Sequence, residues 1–223
     1  MKRNSLSLEE NMKILFLGDS ITDAKRERSF EGHLYGLGYG YVNQVAASLM
    51  QEDAFGFEFV NRGIGGNRVV DLYARVKSDV WYEHPDLLSI LVGVNDACHD
   101  FHEIPNGVEV DRFEKVYRML LEDTKKALPK AKLILCEPFI LCGEYSVGVI
   151  GKEKLQAVKR NAAVAKKLAE EFSIPFVSLQ EKFDLAAKKY GAERLLPDGV
   201  HPNSLGASLI AKEWLSVFKK EIL

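Results

Sequence analysis

Residues 13–23, Lys-Ile-Leu-Phe-Leu-Gly-Asp-Ser-Ile-Thr-Asp, join a short apolar run to a polar turn that contains a serine. The apolar residues 14–17 predict a buried strand that ends at Gly18. Because ligands of parallel α/β sheets bind at the carboxyl ends of the strands, Ser20 is predicted to lie just past such an end. Thr22 and Asp23 can cap a following helix. From this stretch alone, an ordinary βα turn and a nucleophile are equally good interpretations.

Short apolar runs recur along the chain and alternate with segments of helical periodicity. Further strands are predicted at 57–61, 87–92, 133–136 and 176–178, and helices at 111–128, 152–172 and 204–220. Asn203 or Ser204 is predicted to cap the last helix. This alternation predicts a parallel sheet with helices on both faces, and five strands suit a three-layer α/β/α, flavodoxin-like sandwich. With no linker or repeat, residues 1–223 are predicted to form a single domain, in which residues 1–12 are a mobile leader.

The composition excludes several classes of protein. Thirty Lys and Arg against 32 Asp and Glu leave a net charge of −2. The chain therefore has no excess of positive charge that would indicate binding to nucleic acid or to an anionic membrane. The first apolar run is too short for a signal peptide or a membrane span. Three cysteines are too few for a disulfide framework and favour a reducing compartment. A cytoplasmic protein is predicted.

A general base for Ser20 is expected to be a histidine that a carboxylate holds in one tautomer. Asp198 and His201 lie three residues apart beside Gly199 and Pro202, which favour a tight turn. Such a turn can place the carboxylate against Nδ1 of His201 while Nε2 faces outward. A lone Asp-x-x-His is most often structural, but together with a serine at a strand end it indicates nucleophilic catalysis.

Two further segments supply candidate hydrogen-bond donors. The stretch 61–68 follows the second strand, and its glycines, Gly66 among them, allow backbone N–H groups to approach a ligand. It lacks the last glycine of a dinucleotide-binding fingerprint. Asn95 follows the third strand, where its amide suits an oxyanion hole; an Asx-turn is the structural alternative.

Four sequence blocks resemble those of the SGNH hydrolases, also called the GDSL esterase/lipase family, in the family's order. They are Gly18-Asp19-Ser20, the glycine turn ending at Gly66, Gly93-x-Asn95-Asp96 and Asp198-x-x-His201. The resemblance implies that Ser20 is the nucleophile, with His201 and Asp198 as its partners. It also implies that the Ser20 N–H, the Gly66 N–H and the Asn95 side chain form the oxyanion hole, and that no metal or organic cofactor is required.

The longer pattern is most similar to bacterial intracellular acetyl-xylooligosaccharide esterases of this family. It comprises residues 18–23, Gly38-x-Gly40-Tyr41-Val42 and Asn61-x-Gly63-Ile64. The similarity implies an acetylated sugar as the small-molecule substrate, without nucleic acid or membrane as partner; relatives of this kind are often homo-oligomers. Other relatives act on lysophospholipids or acyl thioesters, which is the alternative hypothesis.

A metal site or a non-catalytic carbohydrate-binding domain is a different class of hypothesis. Asp96, His99, Asp100, His102 and Glu103 have a spacing that metal ligands can have. A solvated βα loop is the better interpretation of this cluster, so no metal site is predicted.

Overall fold

The computed structural model describes residues 11–30, 33–141 and 151–223. Within these ranges five strands form one parallel sheet in the order β2-β1-β3-β4-β5. The strands are β1 (Met12–Gly18), β2 (Phe57–Gly63), β3 (Leu87–Leu91), β4 (Lys132–Cys136) and β5 (Phe176–Val177). This is the flavodoxin-like strand order.

Helices connect the strands and cover both faces of the sheet. They are α1 (Ser20–Asp23), α2 (Tyr41–Glu52), α3 (Val69–Asp79), α4 (Val94–Cys98), α5 (Val110–Ala127), α6 (Lys152–Glu171), α7 (Gln180–Tyr190) and α8 (Ser204–Glu221). Short 3₁₀ turns lie at Arg28–Phe30, Leu34–Leu37, Trp81–Glu83, His99–Phe101 and Ala192–Arg194. No helix within the described ranges is long and apolar enough to cross a membrane.

The apolar run of β1 is buried on both sides because successive side chains of a strand point to opposite faces. Ile14 and Phe16 pack into the core under α2, α7 and α8, where Phe16 contacts the Trp214 ring at a centroid distance of 5.3 Å. Leu15 and Leu17 pack into the core under α3, α5 and the second half of α6. Each such buried side chain contributes roughly 1.5–3 kcal/mol, so a polar substitution in β1 would disrupt both layers.

The predicted three-layer α/β/α fold with a parallel five-stranded sheet is confirmed. Each predicted strand overlaps the observed one, with ends that differ by at most two residues. Of the predicted leader, residues 1–10 lie outside the described ranges, and Met12 is already the first residue of β1. Asn203 caps α8: its side chain accepts hydrogen bonds from the Leu205 and Gly206 N–H groups at 2.9 and 3.1 Å.

The strand order reverses between β1 and β3. The chain leaves β1 toward β2 at one edge and then returns to β3 on the other side of β1. Open α/β sheets bind their ligands in the crevice at such a reversal, outside the carboxyl ends of the strands. The carboxyl ends of β1, β2 and β3 all lie at this crevice, and one of the predicted site segments follows each of them.

Candidate active site

Ser20 is the first residue of the short helix α1, immediately after β1. The preceding Asp19 is the N-cap: its Oδ1 accepts a hydrogen bond from the Ile21 N–H at 2.9 Å. The prediction that Thr22 and Asp23 cap a following helix is wrong, because both belong to α1 itself. The strand end and the cap together leave the Ser20 side chain partly exposed at the edge of the sheet.

Asp198 and His201 form one tight turn before α8. Oδ1 of Asp198 accepts hydrogen bonds from the backbone N–H groups of Val200 and His201 at 2.9 and 2.7 Å. Its Oδ2 lies 2.5 Å from Nδ1 of His201. The carboxylate therefore both closes the turn and orients the imidazole.

The turn brings His201 to Ser20, 181 residues away in sequence. Nε2 of His201 lies 2.8 Å from Oγ of Ser20, within hydrogen-bond reach. The side chains of His201 and Asp198 are 52% and 43% exposed, so a ligand can reach the pair from solvent. Serine, imidazole and carboxylate thus form one chain of hydrogen bonds, with the geometry that nucleophilic catalysis by serine requires.

The loop after β2 passes beside Ser20. A Cβ atom at Gly65 would lie 3.8 Å from Cβ of Ser20, and Gly65 donates its N–H to Oδ2 of Asp23 at 3.2 Å. Gly66 has φ +80°, which favours glycine, although a Cβ there would meet no atom within 4 Å. Backbone conformation rather than crowding therefore favours glycine at the proposed oxyanion donor.

Asn95 lies at the start of α4, where Gly93 turns the chain out of β3. Gly93 has φ +130°, and a Cβ there would lie 3.0 Å from Pro138, so this turn requires glycine. Nδ2 of Asn95 donates to the carbonyl of Asn67 at 2.9 Å. Because an amide carries two N–H groups, the second is available to a ligand.

All five predicted site residues line one cavity of about 440 Å³; they are Ser20, Gly66, Asn95, Asp198 and His201. A second cavity of about 350 Å³ shares Ser20 and His201 with the first and extends past Tyr39 and Lys25 toward Ile210. Ser20 and His201 therefore line both cavities, so a bound molecule can extend from this pair into either one.

Arg75 and Asp96 support the site. No sequence motif predicts a role for Arg75, and the sequence motifs place Asp96 only within the SGNH-like block and the candidate metal cluster. Nε of Arg75 donates to Oδ1 of Asn67 at 2.8 Å and its Nη2 to the Gly18 carbonyl at 3.1 Å. The guanidinium thus joins the end of β1 to the loop after β2. Oδ1 of Asp96 accepts from the Val69 N–H at 2.9 Å and fixes the far end of that loop. Neither contact has a local sequence signal, since both join distant segments.

Burial and hydrogen bonding move the carboxyl pKa values of the site in opposite directions. Burial acts to raise the pKa of Asp198, but the hydrogen bonds from His201 and Val200 outweigh it and lower that pKa below its usual value. Burial raises the pKa of Asp19 to about 7 despite the Ile21 N–H. It also raises the pKa of Asp96 to about 7, with the Val69 N–H offsetting only part of the effect. Asp198 is therefore the ionised carboxylate at neutral pH.

Asp96→Asn is expected to reduce the dependence of stability on pH. The unfolded chain releases the Asp96 proton near pH ~3.9, whereas the folded protein holds it to about 7. Between these values the folded state binds more protons, so stability falls as pH rises. Asparagine keeps the oxygen that accepts from Val69 and carries no charge. Urea unfolding measures the free energy of unfolding at pH 5 and at pH 7.5. Between these pH values, the free energy of unfolding should decrease by at least ~1 kcal/mol less in the variant than in the wild type. Equal decreases in the variant and the wild type would contradict the raised pKa of Asp96.

Two acidic residues of the cluster after β3, Asp96 and Asp100, accept hydrogen bonds from backbone N–H groups. Asp96 is buried against Val69, and Oδ1 of Asp100 accepts the Gly107 N–H at 3.0 Å. The rings of His99 and His102 contact each other in a tilted arrangement, with a centroid distance of 4.7 Å and an interplanar angle of 35°. Across the described ranges, no three His, Cys, Asp or Glu side chains are grouped to hold a metal ion.

Comparison with known proteins identifies the family. Residues 16–209 match the GDSL-like lipase/acylhydrolase family. The chain is 35% identical to an acetylxylan esterase of Geobacillus stearothermophilus over 210 residues, which cover 91% of this chain and 92% of the relative. The crystal structure of Axe2, an acetylxylan esterase from the same organism, superposes with a TM-score of 0.81 at 34% identity, over 94% of this chain and 95% of Axe2. A GDSL-like protein from Parabacteroides merdae superposes with a TM-score of 0.88 at 37% identity, over 96% of this chain and 98% of the other.

The chain belongs to the GDSL-like lipase/acylhydrolase family, the SGNH hydrolases. It is a carboxylic ester hydrolase, an acyl esterase of the SGNH type. The family resemblance expected from the four sequence blocks is confirmed.

Proposed function

We propose that this enzyme is a serine esterase that removes small acyl groups, principally acetate, from carbohydrate hydroxyls. The observation that carries the proposal is the hydrogen-bond chain from Oγ of Ser20 through His201 to Asp198 at the reversal of the strand order. The 35% identity to an acetylxylan esterase supports the acetyl and sugar parts. Crystal structures exist of catalytic mutants of Axe2 in which a serine, an aspartate or a histidine is replaced by alanine. That aspartate and histidine lie three residues apart, as Asp198 and His201 do.

The first half of the reaction transfers the acyl group to the enzyme. Nε2 of His201 removes the proton of Ser20 as Oγ attacks the ester carbonyl, and Asp198 stabilises the imidazolium that forms. The N–H groups of Ser20 and Gly66 and the Asn95 amide donate to the oxygen that gains negative charge. His201 then gives its proton to the departing sugar oxygen as the carbon–oxygen bond breaks, and the sugar leaves with a free hydroxyl.

The second half returns the enzyme to its starting state. A water molecule gives a proton to His201 and attacks the acyl-enzyme through its oxygen, and the same donors stabilise the second oxyanion. Collapse of this intermediate releases the acid, and the proton held by His201 returns to Oγ of Ser20. The cycle balances with water as its only co-reactant.

Asn95→Ala is expected to lower kcat by roughly 10²–10³-fold with a small change in KM, because the lost amide acts on the charge of the transition state. Steady-state kinetics on p-nitrophenyl acetate measure both constants. Asn43→Ala on the exposed face of α2 is the matched control and should retain full activity. An Asn95→Ala enzyme with wild-type kcat would exclude Asn95 from the oxyanion hole.

A substrate panel tests the proposed acyl and acceptor classes. Initial rates are compared on p-nitrophenyl esters of increasing chain length, acetylated xylooligosaccharide and long-acyl lysophospholipid. We expect fastest turnover of acetyl esters and release of acetate from the oligosaccharide. A preference for chains longer than about eight carbons would overturn the substrate class and favour the lysophospholipase or thioesterase alternative.

We also propose that the chain forms a single domain and acts in the cytoplasm. Cys98 and Cys136 are free thiols, which is typical of a reducing compartment. Fractionation of the source cells with an activity assay tests the location.

A further inference from the structure

One wall of the 440 Å³ cavity carries a lysine and two histidines. Lys154, on the first turn of α6, lines this cavity together with His99 and His102. Lys154 is half-buried, and its Nζ lies 5.8 Å from the centre of the Phe101 ring. Its contacts within the described residues include no carboxylate. Within the described part of the chain, this ammonium group is therefore available to an anionic ligand.

Three carboxylates around this wall have partners of their own. Asp198 is the one carboxylate among the described residues that line the cavity, and it binds the imidazole of His201. Asp100 accepts a backbone N–H, and Asp71 is paired with Arg68 at 2.9 Å. Lys154 is the one Lys or Arg among the described residues that line the cavity, and it pairs with none of these three carboxylates, so its ammonium group can bind an anionic group of a ligand.

The two histidines add donors and a flat surface to this wall. Burial, and then the neighbouring His102 and Arg68, lower the pKa of His99 below its usual value, so its ring is neutral at neutral pH. A neutral imidazole donates one N–H and presents its face to a sugar ring. The wall thus combines one point charge with polar rings, in the same cavity as the oxyanion donors.

We propose that Lys154 with His99 and His102 forms a subsite for a carboxylate on the sugar, so that the preferred substrate is an acetylated oligosaccharide containing a uronic acid. The inference rests on the proposed function and specifies its substrate. A carboxylate fits better than a phosphate monoester because the wall offers one full positive charge, whereas a phosphate dianion needs more. Lys154 then acts on substrate selection rather than on the bond that breaks.

The test compares two substrates that differ only in the carboxylate. One is an acetylated oligosaccharide of xylose and glucuronic acid; the other is the same acetylated compound with the carboxylate converted to a primary carboxamide, which is neutral and adds no hydroxyl that could carry a further acetyl group. We expect kcat/KM of the wild type to favour the acidic substrate by about tenfold, as a charge-assisted contact would produce, and salt to diminish the preference. Lys154→Gln should abolish the preference, Lys154→Arg should keep it and Lys154→Glu should invert it.

Lys152→Gln, on the exposed face of the same helical turn, is the matched control and should keep the wild-type preference. The inference is overturned if the wild type does not distinguish the two substrates, or if Lys154→Gln slows both equally, which would mean that the cation assists the reaction itself. Release of acetate from the neutral carboxamide oligosaccharide reports separately on the proposed function. If the wild type cleaves p-nitrophenyl acetate and neither oligosaccharide, the proposed acceptor class fails together with the subsite.

Discussion

Ser20→Ala is expected to reduce ester hydrolysis by roughly 10⁴–10⁶-fold, since alanine has no oxygen to attack the carbonyl and no acyl-enzyme can form. The variant should fold normally, because the hydroxyl contacts only Nε2 of His201 among the described residues. Steady-state rates on p-nitrophenyl acetate measure the loss. Labelling by a fluorophosphonate, which requires an activated serine, should disappear at the same time.

Ser78→Ala on the exposed end of α3 is the control for this substitution. It should retain wild-type rates and wild-type labelling. A Ser20→Ala enzyme that still hydrolyses acetyl esters at the wild-type rate, after purification free of other esterases, would remove Ser20 as nucleophile and the proposed mechanism with it.

Asp198→Asn is expected to lower kcat by roughly 10⁴-fold without unfolding the protein. The amide oxygen can replace Oδ1 and still accept from Val200 and His201, so the turn is kept. The amide nitrogen then faces Nδ1 of His201 and donates to it. The imidazole proton must move to Nε2, where the ring can no longer accept the proton of Ser20.

The control is Asp111→Asn, an exposed aspartate on the first turn of α5. Rates and thermal unfolding are measured for both variants. We expect a near-normal melting temperature and very low kcat for Asp198→Asn, and both values near wild type for Asp111→Asn. Wild-type kcat in Asp198→Asn would show that orienting the imidazole does not require this carboxylate.

The sheet was predictable because its strands are short, continuous apolar runs, which buried parallel strands require. Helices α5, α6 and α8 were predictable from long apolar stripes. Helix α3 buries only Val69, Leu72 and Val76, and α7 buries one apolar side chain, Phe183, so neither has a clear stripe. Helix α2 has a clear stripe but was not predicted. It begins at Tyr41 after a glycine-rich turn, and its N-cap, Gly40, has no side chain to signal the start of a helix.

The residues of the candidate site also fall into two groups, those that a local motif predicts and those that only the structure reveals. Ser20, Gly66, Asn95 and the Asp198–His201 turn stand in short motifs, because each needs a particular local backbone to present its group. Arg75 reaches the Gly18 carbonyl across 57 residues, and Asp96 reaches Val69 across 27. Lys154 lines the cavity from the start of α6. Such contacts depend on how layers pack, which no local pattern encodes, so the supporting and substrate-facing residues required the structure.

The base and its acid are neighbours in sequence, whereas the serine is 181 residues away. The Asp198–His201 turn can close early in folding, but the proton relay is complete only after α8 has docked against the sheet beside β1. Contacts between segments so far apart form late, because closing a long loop is entropically costly. We therefore expect esterase activity to recover late in refolding, after helical structure has formed and when the native state is reached.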